Sequence, residues 1–381
     1  MATEEKICFV SPLLGINIED DLGSGVRLGT FGWIGNDPAL IHKYIGDDWR
    51  EELGTAVIRK LLGAKAFVFG ELPSVSTERR REYFEDLVRM VQQVFLDFLW
   101  VVRDNAVNSE ICVFGTWDEA THRWLKPVGL SPFATVSKVD GVSFRTLTEF
   151  SKKEIEIVAE YMKGVKNINT ITHVHPAAFK TQRQKGQEEK IDRFGLGRFI
   201  VHRARRAQDI TGKIALYCSA FEAMFTTSMS EVSHQLAERV ALMLADDIEK
   251  RMEVYQTMKE IYEIRSKMMH GKTPKIKGGR SIEEAARQCD DYMRKIVWSL
   301  MNAPIPEMQS TDSVLENYFQ RRLFGAGDSA LLGMLKNKID EDGLGEAAIL
   351  LFQVPDQTAK PEREYHSEEG GTSLDSSSHT S

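Results

Sequence analysis

Ile261-Tyr262-Glu263-Ile264-Arg265-Ser266-Lys267-Met268-Met269-His270-Gly271 is the stretch on which the reading of this chain turns. With Val254 and Met258 upstream, Ile261 and Met268 form an apolar stripe at three- and four-residue spacing, the signature of a helix packed along one face. Gly271 is a natural terminator for that helix, because glycine enters the left-handed conformation without steric cost. Arg265 stands on the stripe where an apolar residue is expected. A guanidinium there is costly unless it is paired or lines a wet cleft. Glu222, Glu231 and Glu238 are candidate partners for a structural ion pair. His270 follows five residues later. On an ideal helix five residues turn about 500°, leaving the two side chains roughly 140° and ~7.5 Å apart along the axis. One helix does not easily aim both at one atom, whereas two copies meeting at a twofold axis could surround one phosphate with two arginines and two histidines.

Reading outward, the surrounding sequence is helical. The periodicity predicts helices over 194–207, 209–226, 231–245, 249–270 and 281–301, with weaker ones between 313 and 351. Upstream, Ser151 and Glu154 form a capping-box pattern ahead of Ile155, Val158, Ala159 and Met162. Residues 167–187, rich in Thr, Asn and Gln, read as a loop or a short strand near 171–174. The first segment differs. Short runs at 7–13, 66–69, 111–116 and 142–144, bounded by Gly, Pro, Asn or Asp, read as strands. Between them Phe84, Leu87, Val91, Val94, Phe98 and Val101 mark a helix over 76–103, with Ser76 as its N-cap. The expected fold is therefore an α+β domain (1–147), a connecting helix and loop (148–191), an all-α helical bundle (192–302), C-terminal helices (303–353) and a disordered tail (354–381). The tail is rich in Ser, Glu, Gly and Thr and has too few large apolar residues to offset its ordering entropy.

The chain has 381 residues, 42% of them hydrophobic and 28% charged, with a formal charge of -7. That balance fits an ordinary soluble protein, so any contact with nucleic acid must come from a local basic patch. Cys8, Cys112, Cys218 and Cys289 are far apart, which argues against a zinc site or a disulfide framework and fits a reducing compartment. No signal-peptide pattern and no transmembrane stretch is read, so a cytoplasmic location without membrane contact is expected.

Two basic groups are candidates for RNA contact. Lys272, Lys275, Lys277 and Arg280 sit on a Gly- and Pro-containing loop just after His270, with Lys267 before it. Arg193, Arg198, Arg203, Arg205 and Arg206 form the second group; for both, the alternative is a solvated face. His173 and His175 could face one side of a strand, but two ligands do not make a metal site. Gly195-Leu196-Gly197 lacks the preceding strand and third glycine of a dinucleotide loop.

Arg265-x-x-x-x-His270 resembles the RxxxxH motif of HEPN domains. The wider pattern is similar to the ApeA-like branch of that superfamily. It comprises Ala220-Phe221-Glu222-Ala223-Met224-Phe225, then Val232-Ser233-His234-Gln235-Leu236-Ala237-Glu238-Arg239-Val240-Ala241, then the stretch quoted first. The similarity covers about residues 192–302. Many HEPN domains are endoribonucleases that need neither metal nor cofactor. The resemblance implies a homodimer through the HEPN helices, with RNA as substrate and a role in antiphage defence or as a toxin. Arg265 would hold the scissile phosphate and His270 would move the proton of the attacking 2′-hydroxyl, since imidazole titrates near neutral pH. Ser266 would support them and Glu222 could orient Arg265. An activating partner or phage-derived trigger would act on the N-terminal domain. The sequence departs from the family at Ser266, where active members commonly carry Asn, Asp or His. A catalytically inactive HEPN module for dimerisation or for RNA or protein binding is the alternative.

Overall fold

The computed structural model describes residues 4–76, 80–130, 136, 138, 147–164, 192–272 and 281–325. Its N-terminal region is an antiparallel sheet and the remainder is mostly helical. Strands β1 (Glu4–Leu13), β2 (Ile16–Ile18), β3 (Val26–Arg27) and β4 (Trp33–Gly35) lead to helices α1 (Ala39–His42) and α2 (Asp47–Leu62). β5 (Ala66–Ser76), α3 (Arg80–Arg89), a π-helical turn (Met90–Phe95), α4 (Leu96–Val102), β6 (Cys112–Asp118) and β7 (Arg123–Leu130) complete the sheet region. The six-stranded order is β3-β4-β5-β1-β6-β7, and every pairing within it is antiparallel. β1 lies inside this sheet and is buried on both faces. Ile7 and Phe9 point toward α3 and α4, while Cys8 and Val10 point toward Trp49, Ile58 and Leu61 of α2. A strand covered on both sides reads as an unbroken apolar run, which is why Ile7-Cys8-Phe9-Val10 shows no alternation.

The stripe Phe84, Leu87, Val91, Val94, Phe98 and Val101 is buried as expected. The helix itself is shorter than expected and broken by the π-helical turn. Ser76 is not its N-cap: it closes β5 opposite Glu4, because the β1–β5 ladder claims its backbone. β8 (Thr148–Phe150) pairs with β2 in parallel, and Ser151 then caps α5 (Lys152–Lys163) with the full capping box to Glu154.

The helical remainder comprises α6 (Arg193–Arg206), α7 (Ile210–Phe225), α8 (Val232–Leu244), α9 (Ile248–Met269), α10 (Ile282–Asn302) and α11 (Asp312–Leu323). Asp192, Asp209, Asp247 and Ser281 cap four of them by accepting a backbone N–H in the first turn. Apolar residues of the sheet's inner face and of these helices pack in one continuous cluster. Asp290 of α10 pins the joint: it accepts from Trp100 Nε1 (2.8 Å), Tyr217 Oη (2.5 Å) and Arg294 Nε (2.8 Å). Tyr161 of α5 receives a hydrogen bond from Asn302 at 2.8 Å. Among the described residues, no helix is long and apolar enough to cross a membrane. The readings for 142–144, 167–187, His173, His175, the helices beyond 325 and the tail fall outside the described residues.

Candidate functional site

The site is built on α7 and α9. The 22-residue α9 is anchored at its start by Asp247, whose side chain accepts from Lys250 N–H, and its core face is Val254, Thr257, Met258, Ile261 and Ile264. Arg265 continues the line of Val254, Met258 and Ile261 but is partly exposed rather than one of the buried residues. At 100° per residue Arg265 lies only about 20° around the helix from Val254, so it stays on the stripe's line, near the exposed C-terminal end of the helix. Its side chain is 26% exposed.

At that end of α9 the structure brings together three groups. Arg265 Nη2 lies 3.6 Å from Oε1 of Glu222 on α7. The Arg265 guanidinium also sits 5.4 Å over the Tyr262 ring, one turn earlier on the same face. Burial pushes the Tyr262 phenol up, and Glu222 pushes it further, with Arg265 opposing. Of the three carboxylates offered by the sequence, Glu222 is the partner. Glu231 instead begins α8 in a left-handed conformation, and Glu238 lies 3.9 Å from His234.

His270 ends the helix. It occupies the C-cap with Gly271 beyond it at φ +68, and two hydrogen bonds close the turn, Gly271 N–H to Met268 O (3.0 Å) and Lys272 N–H to Lys267 O (2.8 Å). This is the Schellman arrangement, and it leaves the His270 side chain exposed to solvent. Ser266 is half-buried between the two candidate residues. Lys267 is tied to Glu263 at 2.6 Å, Lys272 is exposed, and Lys275, Lys277 and Arg280 lie outside the described residues.

The second basic group is neither a solvated face nor an open RNA patch. Arg193 and Arg205 are buried; Arg193 pairs with Asp312 and donates to Thr226 O at 2.7 Å, and Arg205 donates to Asp97 at 2.8 Å. Within this group Arg203 alone is classed as exposed. Arg239, part of the quoted pattern, is likewise structural. It is buried, donates to Phe225 O and Thr227 Oγ1, pairs with Glu316 and lies 5.2 Å over Phe319. The expectation missed these roles because each partner is remote in sequence.

Sequence reasoning also missed a second stripe on α9. Ile248, Met252, Tyr255, Tyr262 and Met269 recur at spacings built from three and four, with Lys259 and Ser266 at the intervening positions. Ile248 is 75% exposed, Met252 50% and Met269 63%, while both tyrosines are half-buried. This stripe is distinct from the core stripe, whose line Arg265 continues. The heptad spacing was available in the sequence but was hidden by the stronger core pattern. Among the described residues, no group of three or more His, Cys, Asp or Glu side chains could hold a metal ion. The chain matches no known protein family, and no characterised protein or solved structure matches it.

Proposed function

We propose that this chain is an endoribonuclease of HEPN type, acting as a homodimer through α9. The observation that carries the reading is the placement of Arg265 on the rim of an exposed apolar stripe, with His270 open to solvent at the end of the same helix. Exposed Ile248, Met252 and Met269 at coiled-coil spacing suit self-pairing, since an isologous contact uses one patch twice. A twofold axis across that stripe would set two Arg265 and two His270 side chains around a common groove.

The chemistry then follows from the two side chains. The 2′-oxygen of RNA attacks the adjacent phosphorus, and the bond from phosphorus to the 5′-oxygen breaks. One imidazole takes the 2′-hydroxyl proton and a proton is delivered to the departing 5′-oxygen. The Arg265 fork binds the non-bridging oxygens as charge builds on them. The products are a 2′,3′-cyclic phosphate and a 5′-hydroxyl, and no step calls for a metal or cofactor. The sheet region would sense a trigger, a partner or a phage-derived molecule, or restrain the dimer, in antiphage defence or as a toxin.

The contact between Arg265 and Glu222 favours one competing reading, a HEPN module that binds RNA or protein without cutting. Incubation of the purified chain with tRNA and mRNA in EDTA separates the two. Cleavage that disappears in both Arg265→Ala and His270→Ala supports the nuclease. RNA that is bound but never cut, by wild type and variants alike, supports the binding module.

A further inference from the structure

Charged pairs that hold this fold together close tightly. Arg205 meets Asp97, and Arg294 meets Asp290, at 2.8 Å each. The pair at the candidate site is different. Arg265 Nη2 and Glu222 Oε1 stand 3.6 Å apart, beyond a hydrogen bond. Glu222 Oε1 and Arg265 Nε are both buried atoms without a hydrogen-bond partner. Yet about a quarter of each side chain is exposed, at 25% and 26%, so the pair can be reached from solvent. A buried donor and acceptor left unmatched at the same place are costly, and a ligand that completes one of them gains from it.

An ion pair this loose is a poor structural clamp, but it is a good competitor for an anion. We infer that Glu222 is a resident counter-ion which an RNA phosphodiester must displace from Arg265, so that one carboxylate sets the affinity of the site. This rests on the reading that Arg265 takes the scissile phosphate. Tyr262 serves both groups: its ring lies beneath the guanidinium, and Glu222 is near enough to its phenol to push that group up. When the phosphate arrives, the ring keeps Arg265 in place while the carboxylate, now beside a like charge, gives way. A carboxylate that neutralises the binding arginine also protects the resting protein from taking up RNA non-specifically. Glu222 is a positioning residue in this account, acting through Arg265 and not on the reacting atoms.

The test uses the full chain and a single-stranded RNA oligonucleotide with 2′-O-methyl groups, which binds but cannot react. Fluorescence anisotropy would give Kd and its salt dependence for wild type, Glu222→Gln, Tyr262→Phe, Arg265→Ala and the Glu222→Gln/Arg265→Ala double variant. Glu222→Gln should tighten binding about tenfold and steepen the slope of log K against log salt by about 0.7, one further phosphate neutralised on a single strand. Tyr262→Phe, which removes the polar phenol beside Glu222 but keeps the ring, should move Kd the same way by about twofold to threefold. In the Arg265→Ala background the Glu222 effect should vanish. Unchanged or weaker binding by Glu222→Gln and Tyr262→Phe, with Arg265→Ala still binding worse than wild type, would overturn the counter-ion and leave the phosphate reading standing. Binding that ignores Arg265→Ala would overturn the phosphate reading, and the counter-ion with it.

Discussion

Arg205 Nη1 donates to Asp97 Oδ1 at 2.8 Å and to Leu96 O at 3.2 Å, tying α6 to the start of α4 where the π-helical turn ends. His202, one turn earlier on α6, meets the same carboxylate at 3.2 Å. Sheet region and helical remainder are thus joined by a charge cluster as well as by apolar packing. Asp97→Asn should cost about 3 kcal/mol, because it leaves the buried Arg205 without its counter-charge. Urea denaturation measures this, and a cost under about 1 kcal/mol would show that the cluster is dispensable.

The same carboxylate makes a pH signature. Burial pushes the Asp97 carboxyl up, but the charge and hydrogen bond of His202, with Arg205 and Arg198, outweigh it and hold the group at about 2. Free aspartate titrates at about 3.9, so the folded state binds this proton less readily than the unfolded state. The stabilisation is complete above that value and is lost as pH falls from about 4 toward 2, amounting to about 2 kcal/mol. Thermal unfolding of wild type and Asp97→Asn should therefore converge over that window. Parallel curves would contradict the assignment.

Much of this architecture is written locally. The Ser151–Glu154 capping box, the terminator at Gly271 and the stripe from Phe84 to Val101 depend on neighbours within a turn or two, and each is visible in the sequence. What was not legible depends on distant partners. Arg205 reads as a solvent-facing charge until Asp97, 108 residues away, comes to meet it. The helix α2 was missed because Gly54 (φ 78) breaks its regularity, and β2 is too short to register until β8 pairs with it. At the site, the motif located Arg265, His270 and Glu222, but not the ring of Tyr262 beneath the guanidinium.

Gly271 has a positive φ of 68 and open space where a Cβ would go, so only its backbone conformation resists substitution. Gly271→Ala should cost about 1 kcal/mol of stability. Because this turn sets the end of α9, it should also slow RNA cleavage more than that small loss of folded protein explains. Full activity in a correctly folded Gly271→Ala variant would show that the turn does not position His270.

The exposed stripe on α9 predicts the assembly state. Met252→Glu places a charge among Ile248, Tyr255 and a second copy of the same stripe, and should convert a dimer to a monomer in sedimentation experiments. Mixing Arg265→Ala with His270→Ala protein should then recover activity, up to about half of wild type, since about half of randomly paired dimers combine one intact residue of each kind. A mixture as inactive as its parents would argue against a shared site.

The end groups of the cleaved RNA test the central claim most directly. The account predicts that wild-type protein in EDTA leaves 2′,3′-cyclic phosphate and 5′-hydroxyl ends, and that Arg265→Ala and His270→Ala leave none. Ends carrying a 5′-phosphate and a 3′-hydroxyl, or cleavage that persists in both variants, would contradict attack by the 2′-hydroxyl at this site.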